Sequence, residues 1–242
     1  MNTLTPATRC LCWIAAAGVL LALGGCATGP DRRDPLENFN RGVMQFNDEL
    51  DAAVLKPVAN AYRDNMPSPV RTAIGNVFGN LGDAWSMVNS ALQLKAQHAA
   101  ESLMRVGINT VFGIYGLVDI ASELGLERHR EDFGQTLGRW GVPTGPYVVL
   151  PLLGPSTLRD TAALPIDRRG DGLRTLDSVS TRNSLYALRV VDTRASLLRT
   201  GRLLDEVSLD RYTFTRDAYL QRRRADVFEG EPAPEPEETK DE

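Results

Sequence analysis

Asp34-Pro35-Leu36-Glu37-Asn38-Phe39-Asn40-Arg41, continued by Val43, Phe46, Leu50 and Val54, is the stretch that decides the fold. Asp34 reads as an N-cap, Pro35 as the first helical position and Glu37 as the acid of a capping box. Leu36, Phe39, Val43, Phe46, Leu50 and Val54 recur at helical spacing and form one apolar face, which Pro57 is expected to interrupt. The same punctuation recurs downstream. Ser68-Pro69 opens a helix carrying Val70, Ile74, Val77, Phe78 and Leu81. Asp83 is placed to cap a third with Trp85, Val88 and Leu92. A fourth runs through Leu103, Val106, Thr110, Val111 and Ile114, and a short one follows Pro155-Ser156 around Leu158. Residues 181–204 and 210–228 read as long arginine-rich helices. Only Tyr147-Val148-Val149-Leu150 looks like a strand, flanked by Pro146 and Pro151. The fold class is all-α.

The whole-chain averages conceal the ends. The 242 residues are 43% hydrophobic and 24% charged, with a net charge of -4. A mean hydropathy of -0.22 argues against a polytopic membrane protein. The charge balance lacks the basic excess of a nucleic-acid binder. Three cysteines make no disulfide scaffold at this length, and two histidines leave little for a His-rich metal site. Yet residues 1–25 hold a single charge, Arg9, and the run Leu11 to Leu23 fits a signal-peptide core, too short to span a bilayer as a helix. It ends in Leu23-Gly24-Gly25-Cys26, a bacterial lipobox whose cysteine carries diacylglycerol. Cys10 and Cys12 would leave with the signal peptide, and an acylated Cys26 anchors the chain durably. Ala27 follows, where an Asp would favour inner-membrane retention, so the expected address is the outer membrane. Residues 26–33 are then a lipidated linker, and 34–228 one helical domain. Residues 229–242, with seven acids and Pro232, Pro234 and Pro236, read as a disordered acidic tail.

Glycine is dense between 70 and 155. Turns and C-caps explain about half of these residues; close small-xxx-small helix packing, as at Gly75 to Gly79 and Gly134 to Gly138, is the reading for the rest. Val111-Phe112-Gly113-Ile114-Tyr115-Gly116-Leu117-Val118 and Val148 to Leu153 have no polar stripe. Two environments fit such a segment: a buried core or a surface that faces lipid.

Motifs for covalent chemistry fail on context. Asp132-Phe133-Gly134 lacks the other parts of a kinase, and Gly75 to Gly82 is not a dinucleotide loop. Gly154-Pro155-Ser156 is no nucleophile elbow. His129 reads as part of a solvated charged loop and His98 as surface. No enzyme, metal or cofactor is expected. The remaining polar signal is arginine, whose fork matches phosphate as well as carboxylate; ordinary pairing with acids is the plainer reading for any one of them.

An ordered set of motifs resembles the MlaA/VacJ outer-membrane lipoproteins. It begins with Asp34 to Arg41 and continues with Lys56-Pro57-Val58-Ala59, Val77-Phe78-Gly79-Asn80-Leu81, Arg105 to Gly113 and Asp119-Ile120-Ala121. Asp132 to Gly138, Gly145-Pro146-Tyr147, Ser156-Thr157-Leu158-Arg159-Asp160, Asp192-Thr193-Arg194-Ala195 and Arg216 to Arg223 complete it. Asp192 and Arg211 stand where the family more often has Glu and Pro. The resemblance covers residues 34–224 and implies a ring-like helical protein in the inner leaflet of the outer membrane. Such a protein would extract phospholipids that have strayed into the outer leaflet and pass them through an amphipathic channel to a periplasmic lipid-carrier protein of the Mla system. Association with a trimeric porin is implied, and a porin-bound structural lipoprotein without lipid transfer is the alternative. Gly138, Gly141, Gly145 and Pro146 resemble the channel-side loop, and Asn38 and Phe39 a segment that sets which leaflet the channel opens to. Arg159 and Arg194 are the arginines suggested for the phosphate.

Overall fold

The computed structural model describes residues 33–201 and 209–228. The lipobox with Cys26 and Ala27, and the acidic tail, lie outside the described residues. Helix α1 (Glu37–Leu50) runs through a wide turn at Asp51–Leu55 into α2 (Lys56–Asn65). The expected break at Pro57 is therefore absent. The ring lacks an N–H, and the preceding residues relax into i→i+5 bonds, with Lys56 N–H donating to Asp51 O, so the rod bends around Pro57 without stopping. Helices α3 (Ser68–Leu92) and α4 (Ala96–Val111) form a long hairpin. Short helices α5 (Ile120–Glu123) and α6 (Phe133–Arg139) follow, each capped by an aspartate, Asp119 and Asp132. Strand β1 (Tyr147–Leu150) falls where the sequence indicates. It pairs antiparallel with β2 (Gly154–Thr157), which the sequence reading missed because Gly-Pro-Ser-Thr has little strand character. Thr157 then caps α7 (Leu158–Gly170), a single 3₁₀ turn spans Gly172–Thr175, and α8 (Val179–Ser196) and α9 (Arg211–Phe228) end the described fold.

Contacts close a circuit. Helix α1 lies on β1, β2 on α9, α9 on α6, α6 on α3, α3 on α8, and α8 on α2, which continues back into α1. The all-α, single-domain, ring-like expectation holds, with one small hairpin set into it. Among the described residues no helix is long and apolar enough to cross a membrane.

The inside of this frame is polar. Every buried residue of α3 is polar (Asn80, Asp83, Ser86, Asn89, Ser90), as is every one of α4 (Ser102, Arg105, Asn109). Among the described residues the buried apolar groups are few, four alanines with Tyr147, Val149, Leu173, Leu198, Tyr212 and Val227. The apolar side chains instead face outward: Phe39 and Phe46 on α1, Val54 in the wide turn after it, Leu103, Met104 and Val111 on α4, and the following Phe112. The apolar face read on the first helix is real, but much of it is the outer surface.

Two expected caps are corrected by this polar interior. Asp34 does not cap α1, whose N-cap position is Leu36 without a side-chain bond. The carboxylate is instead fully buried, accepting from Asn40 Nδ2 at 2.8 Å, the Tyr212 hydroxyl and Arg216. Asp83 starts no helix. It sits inside α3 and pairs with Arg105 at 3.1 Å. An acid followed by an apolar run looks like a cap, but here a buried arginine claims it. The small-xxx-small reading also changes. A Cβ at Gly79 would meet the Arg128 guanidinium, one at Gly134 the Arg223 guanidinium and Asp160, and one at Gly138 the Arg159 guanidinium. These glycines seat arginine forks.

Candidate functional site: a charged cavity in a polar frame

Four hydrogen-bonded clusters hold the frame. In the first, every nitrogen of the fully buried Arg105 has an acceptor. Nε donates to Asp83, Nη2 to both Asp119 oxygens at 2.9 Å, and Nη1 to Leu126 O at 2.7 Å and Ser122 Oγ at 3.1 Å. Asn109 donates to Asp119 and accepts from Ala121 N–H. Burial opposes ionisation of Asp119, but the bonds from Ser122, Asn109 and Arg105 outweigh it and hold its carboxyl down at about 2. Asp83 goes the other way: burial raises it despite Arg128 and Arg105. This cluster ties α3 and α4 to the 119–128 segment and so delivers Arg128.

The second cluster joins three parts of the chain. Arg223 of α9 donates to Asp132 at 2.6 Å and to Asp160 at 2.8 Å, and the Tyr219 hydroxyl donates to Asp160 at 3.0 Å. Burial works against the guanidinium charge, yet Asp132 and Asp160 overcome it and raise its pKa above the ordinary arginine value. The third is Lys95–Glu131 at 2.9 Å, with Gln93 bridging Glu131 and Thr136. Beside it His98 and His129 stack at 3.7 Å, and His129 Nε2 meets Glu101. The solvated-loop reading of His129 and the surface reading of His98 are thus corrected: both are packed, ring on ring, between acids.

The fourth was invisible to motif reading. Asn40 and Asn47, two turns apart on α1, bind the backbone of the hairpin as a neighbouring strand would. Asn40 donates to Tyr147 O at 3.0 Å and accepts from Val149 N–H at 2.8 Å. Asn47 donates to Leu150 O at 3.0 Å and accepts from Leu152 N–H at 2.8 Å. The seven-residue spacing of two asparagines on an otherwise apolar face is the signal that would have found them.

The first three clusters border a cavity of about 760 Å³ between α3, the 128–132 segment, α7, α8 and α9. Its apolar wall includes Phe78, Leu81, Trp85 and Leu197. Its charged wall includes Arg128, Arg130, Glu131 and Asp132, and Asp167, Asp171, Arg189 and Asp192 also line it. Asp167 accepts from Trp85 Nε1 and from Phe133 N–H, both at 2.8 Å, and burial raises its pKa. Arg189 closes on Asp171. Charged and apolar walls in one space suit an amphipathic ligand. None of the surrounding groups forms a nucleophile–base pair, and among the described residues no cluster could hold a metal.

The residues read from sequence fall in several places. Arg159 is buried against Asp160, its Nε donating at 3.1 Å. Arg194 forks onto Asp51 at 2.6 and 2.7 Å, joining α8 to the wide turn after α1 and lowering that carboxyl. Neither is among the residues that line the cavity. Asn38 and Phe39 are exposed on α1, immediately before the buried Asn40. Gly138 sits in α6, while Gly141 (φ 90°) and Gly145 (φ 69°) adopt left-handed conformations in the exposed loop that Pro146 ends.

The question of core or surface for 111–118 is settled as surface. Phe112, Ile114 and Tyr115 are 72%, 62% and 81% exposed. Ile114 and Tyr115 both hold a left-handed conformation, φ 53° and 55°, which costs a non-glycine residue about 1–2 kcal/mol. The turn is locked by Gly116 N–H to Asn109 O and Val118 N–H to Gly113 O. The strained backbone here displays apolar side chains at the surface.

The comparisons agree with this architecture. The MlaA lipoprotein family matches residues 32–226. The intermembrane phospholipid transport system lipoprotein MlaA of Escherichia coli (strain K12) is 38% identical over 217 residues, 86% of this chain and 84% of that protein. The protein of the same description from Haemophilus influenzae is 32% identical over 228 residues, covering 87% and 88%. A solved structure described as the structural basis for maintenance of bacterial outer membrane lipid asymmetry superposes with a TM-score of 0.71 at 38% identity, over 81% of this chain and all of the other. With the family matched across nearly the whole helical body and its ring-like frame reproduced, the chain belongs to the MlaA lipoprotein family.

Proposed function

We propose that this chain is an outer-membrane lipoprotein of a Gram-negative bacterium that removes phospholipids from the outer leaflet and delivers them toward the periplasm. The lipobox cysteine Cys26 anchors it in the inner leaflet of that membrane. The observation that carries the reading is the inverted body: apolar side chains outside, polar networks inside, and a cavity with one apolar and one charged wall. An exterior of Phe39, Phe46, Leu103, Phe112 and Tyr115 is stable where the surrounding medium is hydrocarbon. A lipid passing through the ring would slide its chains along Phe78, Leu81 and Trp85 and its headgroup along the charged wall. The step is transfer without covalent chemistry. The receiving partner is a periplasmic lipid carrier of the Mla system, and a trimeric porin holds the ring in place.

Helix α1 serves as the gate-side element. Deleting Asn38-Phe39 turns the remainder of the helix by about 200° relative to its start. Asn40 and Asn47 can then no longer meet the hairpin in the same register, and lipid is released in the wrong direction. The test is a deletion strain, in which outer-leaflet phospholipid labelling and detergent sensitivity rise and are restored by the intact gene. Unchanged labelling would falsify lipid removal and leave a purely structural lipoprotein beside the porin.

A further inference from the structure

We infer that the cavity selects a zwitterionic headgroup, in which a phosphate and a primary ammonium are joined by a short link, over an anionic one. The inference rests on the lipid-transfer reading and concerns which lipid that same cavity prefers. Gly75 and Gly79 lie one turn apart on α3, and both line the cavity. Each faces a charge of opposite sign. A Cβ at Gly79 would sit 2.6 Å from Arg128 Nη1, and one at Gly75 would sit 3.5 Å from Asp192 Oδ2. The bare helix surface therefore carries a cation and an anion about 6 Å apart along its axis.

Both charges are held from behind and open in front. Arg128 Nη2 donates to Asp119 at 3.2 Å and its Nε lies 3.2 Å from Asp83, while Nη1 has no acceptor among the described residues. Asp192 Oδ1 accepts from the Tyr62 hydroxyl at 3.0 Å, while Oδ2 accepts nothing among the described residues. The neighbouring cation Arg189 is closed on Asp171, so it does not neutralise Asp192. A phosphate seated on Arg128 Nη1 places a two-carbon ammonium within reach of Asp192 Oδ2. A headgroup ending in hydroxyls gains the first contact and lacks the second. A lipid with a second negative charge meets Asp192 unfavourably.

The test uses the full-length lipoprotein, purified in detergent and incubated with vesicles of equimolar phosphatidylethanolamine and phosphatidylglycerol. Bound lipid is read by native mass spectrometry. The wild type is expected to retain the ethanolamine lipid preferentially. Asp192→Asn keeps an acceptor for Tyr62 and removes the charge; it should lower the ethanolamine-to-glycerol ratio about tenfold, the worth of one charge-assisted hydrogen bond. Gly75→Ala, which fits the helix at ordinary contact distance, should lower the same ratio by laying a methyl over Oδ2. Equal retention of the two lipids by the wild type, or an unchanged ratio in both folded variants, overturns the inference while leaving lipid transfer intact. No lipid of either kind on the wild type overturns the transfer reading and this inference with it.

Discussion

The facing sides of α3 and α4 and the loop that follows α4 are continuous in sequence and opposite in design. Between the helices lie Asn80, Asp83, Arg105 and Asn109, while Ser86 and Asn89 beside them meet Glu131 and Thr136, all buried. A few residues on, Val111, Phe112, Ile114 and Tyr115 are all largely exposed. In a water-soluble helical hairpin the two sets would change places. The difference teaches that this chain turns the usual order around, with apolar groups at its rim and polar and charged groups at its centre. It also shows what holds such a molecule together. With few buried aliphatic groups, the frame relies on hydrogen-bond networks such as the one around Arg105, which are strong where water is scarce and costly when broken.

The sharpest way to break the comparison is at Arg105. Arg105→Met removes the buried cation from Asp83 and Asp119 and leaves them only the more exposed Arg128. Denaturant unfolding in detergent should show a loss of about 3–5 kcal/mol, the usual cost of removing one partner of a buried ion pair. Asn40→Leu should cost less, about 2 kcal/mol, because it leaves Asp34, Tyr147 O and Val149 N–H each short of one bond. The variant should also speed amide exchange in β1, since Asn40 stands in for a missing strand.

Asp119 sharpens the contrast through pH. Its folded carboxyl titrates at about 2, against an ordinary value of 3.8. A depressed carboxyl stabilises the fold fully above about pH 4, and that contribution disappears as pH falls through about 2. Melting curves from pH 5 to pH 2 should therefore fall more steeply for the wild type than for Asp119→Asn. The difference is about 1 kcal/mol once solvent screening at this partly open site is counted. Parallel curves would show that the Arg105 fork, and not the ionised Asp119, carries this cluster.

How much of this was legible follows the same division. Helical periodicity, the strand at Tyr147–Leu150 and the ordered motifs could all be read, because each is a local pattern. The roles of Asp34 and Asp83 were misread because an acid before an apolar run looks the same whether backbone N–H groups or a distant arginine satisfies it. Arg216 is 182 residues from Asp34 and Arg223 is 91 from Asp132, so no window contains both partners. The glycines were seen, but a missing Cβ does not say whether a helix or a guanidinium fills the space. Hydrophobic periodicity likewise locates an apolar face without saying which side of the molecule it is on.

Tyr115 offers the smallest change in stability and the cleanest separation of the two regions. Its side chain is 81% exposed and its backbone is left-handed, so it contributes little packing to the folded chain. Tyr115→Gly relieves the backbone and should raise detergent stability by up to about 1 kcal/mol. The same substitution removes an aromatic ring from the rim. If the rim meets lipid, the variant should sit less deeply in vesicles, read as weaker quenching of the native tryptophans by lipids brominated in their chains. An inward-facing position would give the reverse: a cavity, a less stable fold and no change of depth. The sign of the stability change and the depth of insertion together decide which medium the exposed segment was built for.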